Sequence, residues 1–73
     1  MNLWSSEMYL EKFAKNLKII MSDKNMNQTQ LAKAMGVNKT AVFYWVNAQK
    51  EPSLSNICKI MKALNCTFEE LVE

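Results

Sequence analysis

The sequence predicts an all-α fold, a compact five-helix bundle forming a single domain over residues 1–73. Three observations carry that expectation. The chain holds one Gly and one Pro, whereas a strand-rich domain of this size needs far more turn residues. Apolar types make up 49% of the residues, too many for a disordered chain. They also recur at three- and four-residue spacings, the period of helices buried along one face. A chain this short has a thin core, so a metal, a disulfide or a partner subunit often assists it.

The first helix starts near Ser5 or Ser6, either of which can cap it, with Glu7 favourably placed for the helix dipole. Leu10, Phe13, Leu17, Ile20 and Met21 form its apolar stripe, and Lys12, Lys15 and Lys18 lie off it. It ends around Asp23–Asn25, where Asn25 can adopt the left-handed conformation that closes a helix. Upstream, Leu3 and Trp4 are apolar for a chain terminus. Trp4 has two readings, packing on the body or contact with a second subunit.

Asn27 caps a second, short helix from Gln28 to Met35 with Leu31, Ala32 and Met35 on one face. Gly36 ends it, since glycine alone escapes the steric cost of positive φ. Asn38 caps a third helix, running to about Asn47. There Ala41, Val42, Trp45 and Val46 point one way and Lys39, Thr40, Phe43, Tyr44 and Asn47 the other. After a loop over Ala48–Pro52, Ser53 caps a fourth helix with Leu54, Ile57, Ile60, Met61 and Leu64 inward, closed by Asn65. Thr67 and Glu70 have capping-box spacing for a last short helix carrying Phe68, Leu71 and Val72.

The stretch Gln28–Val46 is the most informative. Two helices of about two turns each can cross closely only where one is small, and Ala32 supplies the small residue. Gly36 sits where the chain reverses, Val37 can anchor the turn, and Val42 and Trp45 face inward from the second helix. Together these features are the signature of a helix-turn-helix.

At this point the chain resembles the helix-turn-helix domains of lambdoid phage repressors and Cro proteins, the xenobiotic response element family. The resemblance runs from about Phe13 to Leu71. It rests on Asn27-Gln28-Thr29-Gln30-Leu31-Ala32, on Gly36-Val37, on Glu51-Pro52-Ser53-Leu54 and on Ile60-Met61-Lys62-Ala63-Leu64. It implies a five-helix bundle whose third helix enters the major groove of DNA. Lys39, Thr40, Phe43 and Tyr44 would then face base edges, while Gln28 and Asn47 would hold phosphates.

The physical chemistry of these residues agrees with those roles. Spare amides at a helix N-terminus bind phosphate, which favours Gln28 and its neighbour Thr29, and Asn38 at the next helix start. Lys39 can donate to guanine O6 and N7, Thr40 can serve several edges, and aromatic rings can pack on a thymine methyl. Phe43 has a competing reading, rolled into the core or a neighbouring loop. Lys33, Lys39 and Lys50 either touch phosphate or are simply solvated.

Two departures from the family stand out. Family members often pair an Arg in the first helix with a Glu late in the third. The matching positions here are Met21 and Val46, so both halves are replaced by apolar residues together. Such a swap is often neutral or stabilising, whereas losing one half is costly. Met21 and Val46 are therefore expected in one cluster near Trp45. The family's Gly after Asn47 is Ala48, and its Gly near the end of the fourth helix is Asn65.

Nine Lys, no Arg and seven acids give a formal charge of +2. That is weak for a nucleic-acid binder. The distribution says more. Residues 1–66 hold all nine lysines against four acids, a balance of +5, and Glu69, Glu70 and Glu73 crowd the end. With no His and two Cys, no metal site, cofactor or enzymatic constellation is expected, and no small-molecule substrate is evident. Cys58 and Cys66 are expected as small buried hydrophobes. Neither a signal peptide nor a membrane-length apolar run is recognisable, so a cytoplasmic protein with reduced thiols is expected.

The expected function is sequence-specific regulation of transcription, as a phage or prophage repressor or Cro-like protein binding a palindromic operator in double-stranded DNA. One recognition helix reads few base pairs, so a homodimer is expected, through Leu3, Trp4, Phe68, Leu71 and Val72; core packing is the competing reading, and it is the favoured one for Phe68 and Leu71. The alternative is a protein-interaction module, or an antitoxin of a toxin–antitoxin pair, on the same fold. The aromatic face and the lack of Arg favour that alternative.

Overall fold

The computed structural model describes residues 6–73, with side chains from Met8 onward. Among them run five helices and no strand: α1 Ser6–Asp23, α2 Gln28–Met35, α3 Lys39–Val46, α4 Leu54–Leu64 and α5 Phe68–Val72. The expected elements are all present. Leu3, Trp4 and a cap at Ser5 lie outside the described residues.

The helix ends show why the chain breaks where it does. Met26 N–H donates to the Met21 carbonyl at 2.9 Å, Val37 to Ala32 at 3.0 Å, Gln49 to Tyr44 at 2.8 Å and Cys66 to Met61 at 3.1 Å. Each six-residue closure requires one left-handed residue just past the helix. Asn25, Gly36, Ala48 and Asn65 fill that position, with φ of 55°, 71°, 56° and 51°. Asn and Gly tolerate it; Ala does so at a cost. Ala48 thus takes a left-handed conformation that a glycine would adopt without strain.

The starts of α2, α4 and α5 are capped as the sequence expects, with one addition. Asn27 Oδ1 accepts from Gln30 N–H at 2.8 Å, and Gln30 Oε1 accepts from Asn27 N–H at 2.9 Å, a full capping box. Thr67 and Glu70 form a second box, and Ser53 Oγ accepts from Asn56 N–H. Asn38 is the exception. It has the backbone of a cap, but its side chain makes no capping bond.

α2 packs on α3 and α4, while α1 packs on α3 and α5. Leu17, Leu31, Val42, Ile60, Leu64 and Leu71 are fully buried between them. Ala32 is buried on α2 and Val37 packs half-buried against the core, as the crossing requires. Met21, Trp45 and Val46 lie in the same buried cluster. Among the described residues no charged or polar side chain is buried, so apolar packing has taken the place of the family's ion pair. Asn16 Nδ2 donates to the Leu71 carbonyl at 3.0 Å and ties α5 to α1.

Several expectations on the rim are corrected. Leu54 is 78% exposed rather than inward, because it opens α4 and its first turn overhangs the body. Phe68, which opens α5, is likewise exposed. Leu71 is fully enclosed, as the favoured core reading has it, and leaves the candidate dimer surface. Cys58 is exposed, and Cys66 only half-buried. Cys58 follows Ile57 by about 100° of helix rotation and so leaves the apolar stripe. Burial pushes the Cys66 thiol above its ordinary range, Glu70 adds to this, and Lys24 opposes it.

Candidate nucleic-acid interface

α3 is eight residues long, about 12 Å of helix, and its two flanks differ completely. Val42, Trp45 and Val46 are buried on one flank. On the other, Lys39, Thr40, Phe43 and Asn47 are exposed and Tyr44 is half-buried. The competing reading for Phe43, rolled into the core, is excluded by its 46% exposure.

The outward side chains are ordered by one another. The Phe43 and Tyr44 rings meet edge to face at 6.0 Å. Lys50 Nζ sits over the other ring of the pair, 4.7 Å from the Tyr44 centroid, a cation–π contact that holds the ammonium beside the aromatic face. Asn47 Nδ2 donates to the Phe43 carbonyl at 2.8 Å and closes the last turn of α3. One amide hydrogen of Asn47 is therefore spent on the helix, and the second remains for an outside acceptor.

Two shallow clefts flank this ridge. The first, about 530 Å³, is lined by Asn27, Gln28, Thr29, Lys39 and Phe43. It brings the α2 amino end beside the start of α3. The capping box engages the Gln30 amide, and the Leu31 amide bonds the Asn27 carbonyl. Helix geometry then leaves the amides of Gln28 and Thr29 without an intrahelical acceptor. They point where an anion gains most from the helix dipole. Lys33 is exposed, one turn after Thr29 along α2, outside the cleft lining.

The second cleft, about 300 Å³, has Asn38, Thr40, Tyr44, Lys50, Glu51 and Asn56 among its lining. Here Lys50 is accompanied by the Glu51 carboxylate, so this side attracts an anion less than the first. Asn56 is a residue that the helical pattern does not mark. It arrives because the α3–α4 loop lays the first turn of α4 beside the outward flank of α3. Of the expected site residues, eight line these two clefts, and Lys33 and Asn47 stand apart.

Small, exposed and preordered, such a ridge can present hydrogen-bond donors, a hydroxyl and an aromatic edge to a grooved, anionic surface. The major groove of B-DNA is about 12 Å wide and admits one helix. Among the described residues no helix is long and apolar enough to cross a membrane.

Comparisons with known proteins agree with this geometry. Residues 16–73 match the Cro/C1-type HTH DNA-binding domain, a family of DNA binders and not of enzymes. The chain is similar to the HTH-type transcriptional activator BcrR of Enterococcus faecalis, 30% identical over 61 residues. The match covers 84% of this chain and 30% of that relative, so the chain spans under a third of its length. It is also similar to the crystal structure of the restriction-modification controller protein C.AhdI from Aeromonas hydrophila. The TM-score there is 0.80 at 32% identity, over 85% of this chain and 94% of that one. The chain belongs to the Cro/C1-type helix-turn-helix DNA-binding domain family, and it is a DNA-binding domain of the kind that transcription regulators carry.

Proposed function

We propose that the domain controls transcription by binding a palindromic operator as a homodimer, with α3 of each copy in the major groove. The observation that carries this reading is the outward ridge of Lys39, Thr40, Phe43 and Tyr44 beside the carboxylate-free cleft at the start of α2. Lys39, Thr40, Phe43 and Tyr44 read base edges. Gln28, Thr29, Asn38 and Lys50 hold the backbone on the two sides, Lys33 and Asn47 extend those contacts, and Asn56 joins them from α4. Lys50 does so while stacked on Tyr44, which couples a backbone contact to a base-reading ring.

A dimer places two copies of α3 about 34 Å apart on successive turns of DNA. Among the described residues of the expected surface, Phe68, exposed on α5, and half-buried Val72 are the ones that remain accessible. The lambdoid resemblance favours repression, while the enterococcal relative is named an activator. A reporter placed behind the selected operator reads the sign directly.

Selection from random duplex DNA at a fixed salt concentration tests the proposal. A symmetric pair of half-sites about 10 base pairs apart is the expected product, and sedimentation of the bound complex should give two chains per site. Recovery of no preferred sequence would overturn it. A second reading, a protein-binding module such as an antitoxin, is favoured by the exposed Phe43 ring on a chain with net charge of only +2. DNA affinity that is weak and flat in salt would select that reading, because phosphate contacts release counterions and weaken steeply as salt rises.

A further inference from the structure

Phe43 lies on the reading ridge but has no hydrogen-bond donor or acceptor on its side chain. Its ring is 46% exposed and is held outward by Tyr44 at 6.0 Å. Tyr44 is in turn capped by Lys50 at 4.7 Å. These contacts order the ring before any ligand arrives, so little freedom is lost when it binds.

The groove offers such a ring few partners. Base edges in the major groove display acceptors, donors and a single apolar group, the C5-methyl of thymine. A phenyl ring pressed on a base N or O strips that atom of water and returns no hydrogen bond, which is costly. Against a C5-methyl, it buries apolar surface on both sides. The chain also has no Arg, so the bidentate guanidinium contact to guanine that many readers use is absent. Lys39, Thr40 and the Tyr44 hydroxyl carry all the polar reading from this ridge. Apolar contact therefore supplies a larger share of the discrimination.

Resting on the major-groove reading above, we infer that Phe43 makes the domain a reader of a C5-methyl pyrimidine, satisfied by thymine or by 5-methylcytosine. Phe43 follows Lys39 by one helical turn, which sets their Cβ atoms about 5–6 Å apart. Base steps are about 3.4 Å along a strand. The methylated pyrimidine thus belongs one or two steps from the guanine that Lys39 contacts, once in each half-site.

The experiment uses the full chain and its selected operator at one salt concentration, with affinity read by fluorescence anisotropy. Each thymine is replaced in turn by deoxyuridine, which removes only the methyl. A methyl-sized group buried on a ring corresponds to about fourfold in affinity. The expected result is that loss at one position per half-site, and about sixteenfold with both half-sites substituted. Phe43→Ala should bind more weakly and lose this sensitivity, and Phe43→Leu should retain part of it. Urea melts of both variants should match the parent, because the ring is on the surface. In a second arm cytosine with or without a 5-methyl is placed at each pyrimidine position of the half-site in turn, and at the position facing Phe43 the methylated form should bind about fourfold better. A gain in that arm without any deoxyuridine loss would identify methylcytosine as the natural partner. Insensitivity in both arms, or sensitivity that survives in Phe43→Ala, overturns the inference while operator binding stands. A chain that selects no DNA overturns the major-groove reading beneath it.

Discussion

The two flanks of α3 share eight residues of backbone and almost nothing else. The inward flank, Val42, Trp45 and Val46, is at most 3% exposed and packs against α1 and α2. On the outward flank Lys39, Thr40 and Phe43 are exposed and Tyr44 is half-buried, with the Phe43 and Tyr44 rings in edge-to-face contact and Lys50 over Tyr44. One flank is built into the core, and the other is the one proposed to read DNA. The contrast teaches that apolar character alone does not mark the core. Phe43 is as apolar as Val42, yet helical phase puts it on the opposite side, where its partner must come from outside.

The largest effect should come from putting a charge into the inward flank. Val46→Glu recreates half of the family's ion pair beside Met21 and should cost about 3–5 kcal/mol, the penalty of a lone buried charge. Seventy-three residues hold only about 4–11 kcal/mol of folding stability, so this variant should be largely unfolded. Adding Met21→Arg should recover much of the loss. A urea double-mutant cycle measures both, and additive costs would show that the two positions do not meet.

Ala32→Leu tests the crossing that supports the inward flank. Extra volume between packed helices costs about 1–3 kcal/mol and sometimes more, read as a lower urea midpoint. Tolerance of leucine would mean that α2 and α3 do not need close approach at that point.

The turns on either side of α3 give smaller and opposite effects. A Cβ at Gly36 would meet nothing within 4 Å, so Gly36→Ala suffers from its φ of 71° alone, a loss of about 1 kcal/mol. Ala48 already bears that strain at φ 56°. Ala48→Gly should therefore stabilise the domain by somewhat less than about 1 kcal/mol, the relief being partly offset by glycine's greater freedom when unfolded. Thermal melts resolve both signs. A destabilised Ala48→Gly would show that the left-handed turn is not strained.

Much of this arrangement is legible in the sequence because helices obey local rules. Stripes at three- and four-residue spacing located the elements, and Asn27, Gly36, Asn65 and Thr67 marked their ends through chemistry that acts over a few residues. The rim was harder to read. Leu54 and Phe68 continue apolar stripes in phase, but they sit in opening turns that overhang the body, and overhang depends on where neighbouring elements stop. The outward ridge itself was legible, since phase fixes which way Lys39 and Tyr44 point. Its setting was not. Lys50 reaches the Tyr44 ring, and Asn56 reaches the second cleft, only because a left-handed Ala48 turns the loop back toward α3.

The division of labour within α3 is tested most directly by reading two quantities on the same proteins. Lys39→Ala and Tyr44→Ala are each measured for operator affinity at fixed salt and for urea midpoint. Each should lose about 1–3 kcal/mol of specific binding, the worth of a base-reading contact, with the midpoint unchanged. Parental affinity in both variants, or binding lost only in step with stability, would contradict the assignment of that flank to DNA.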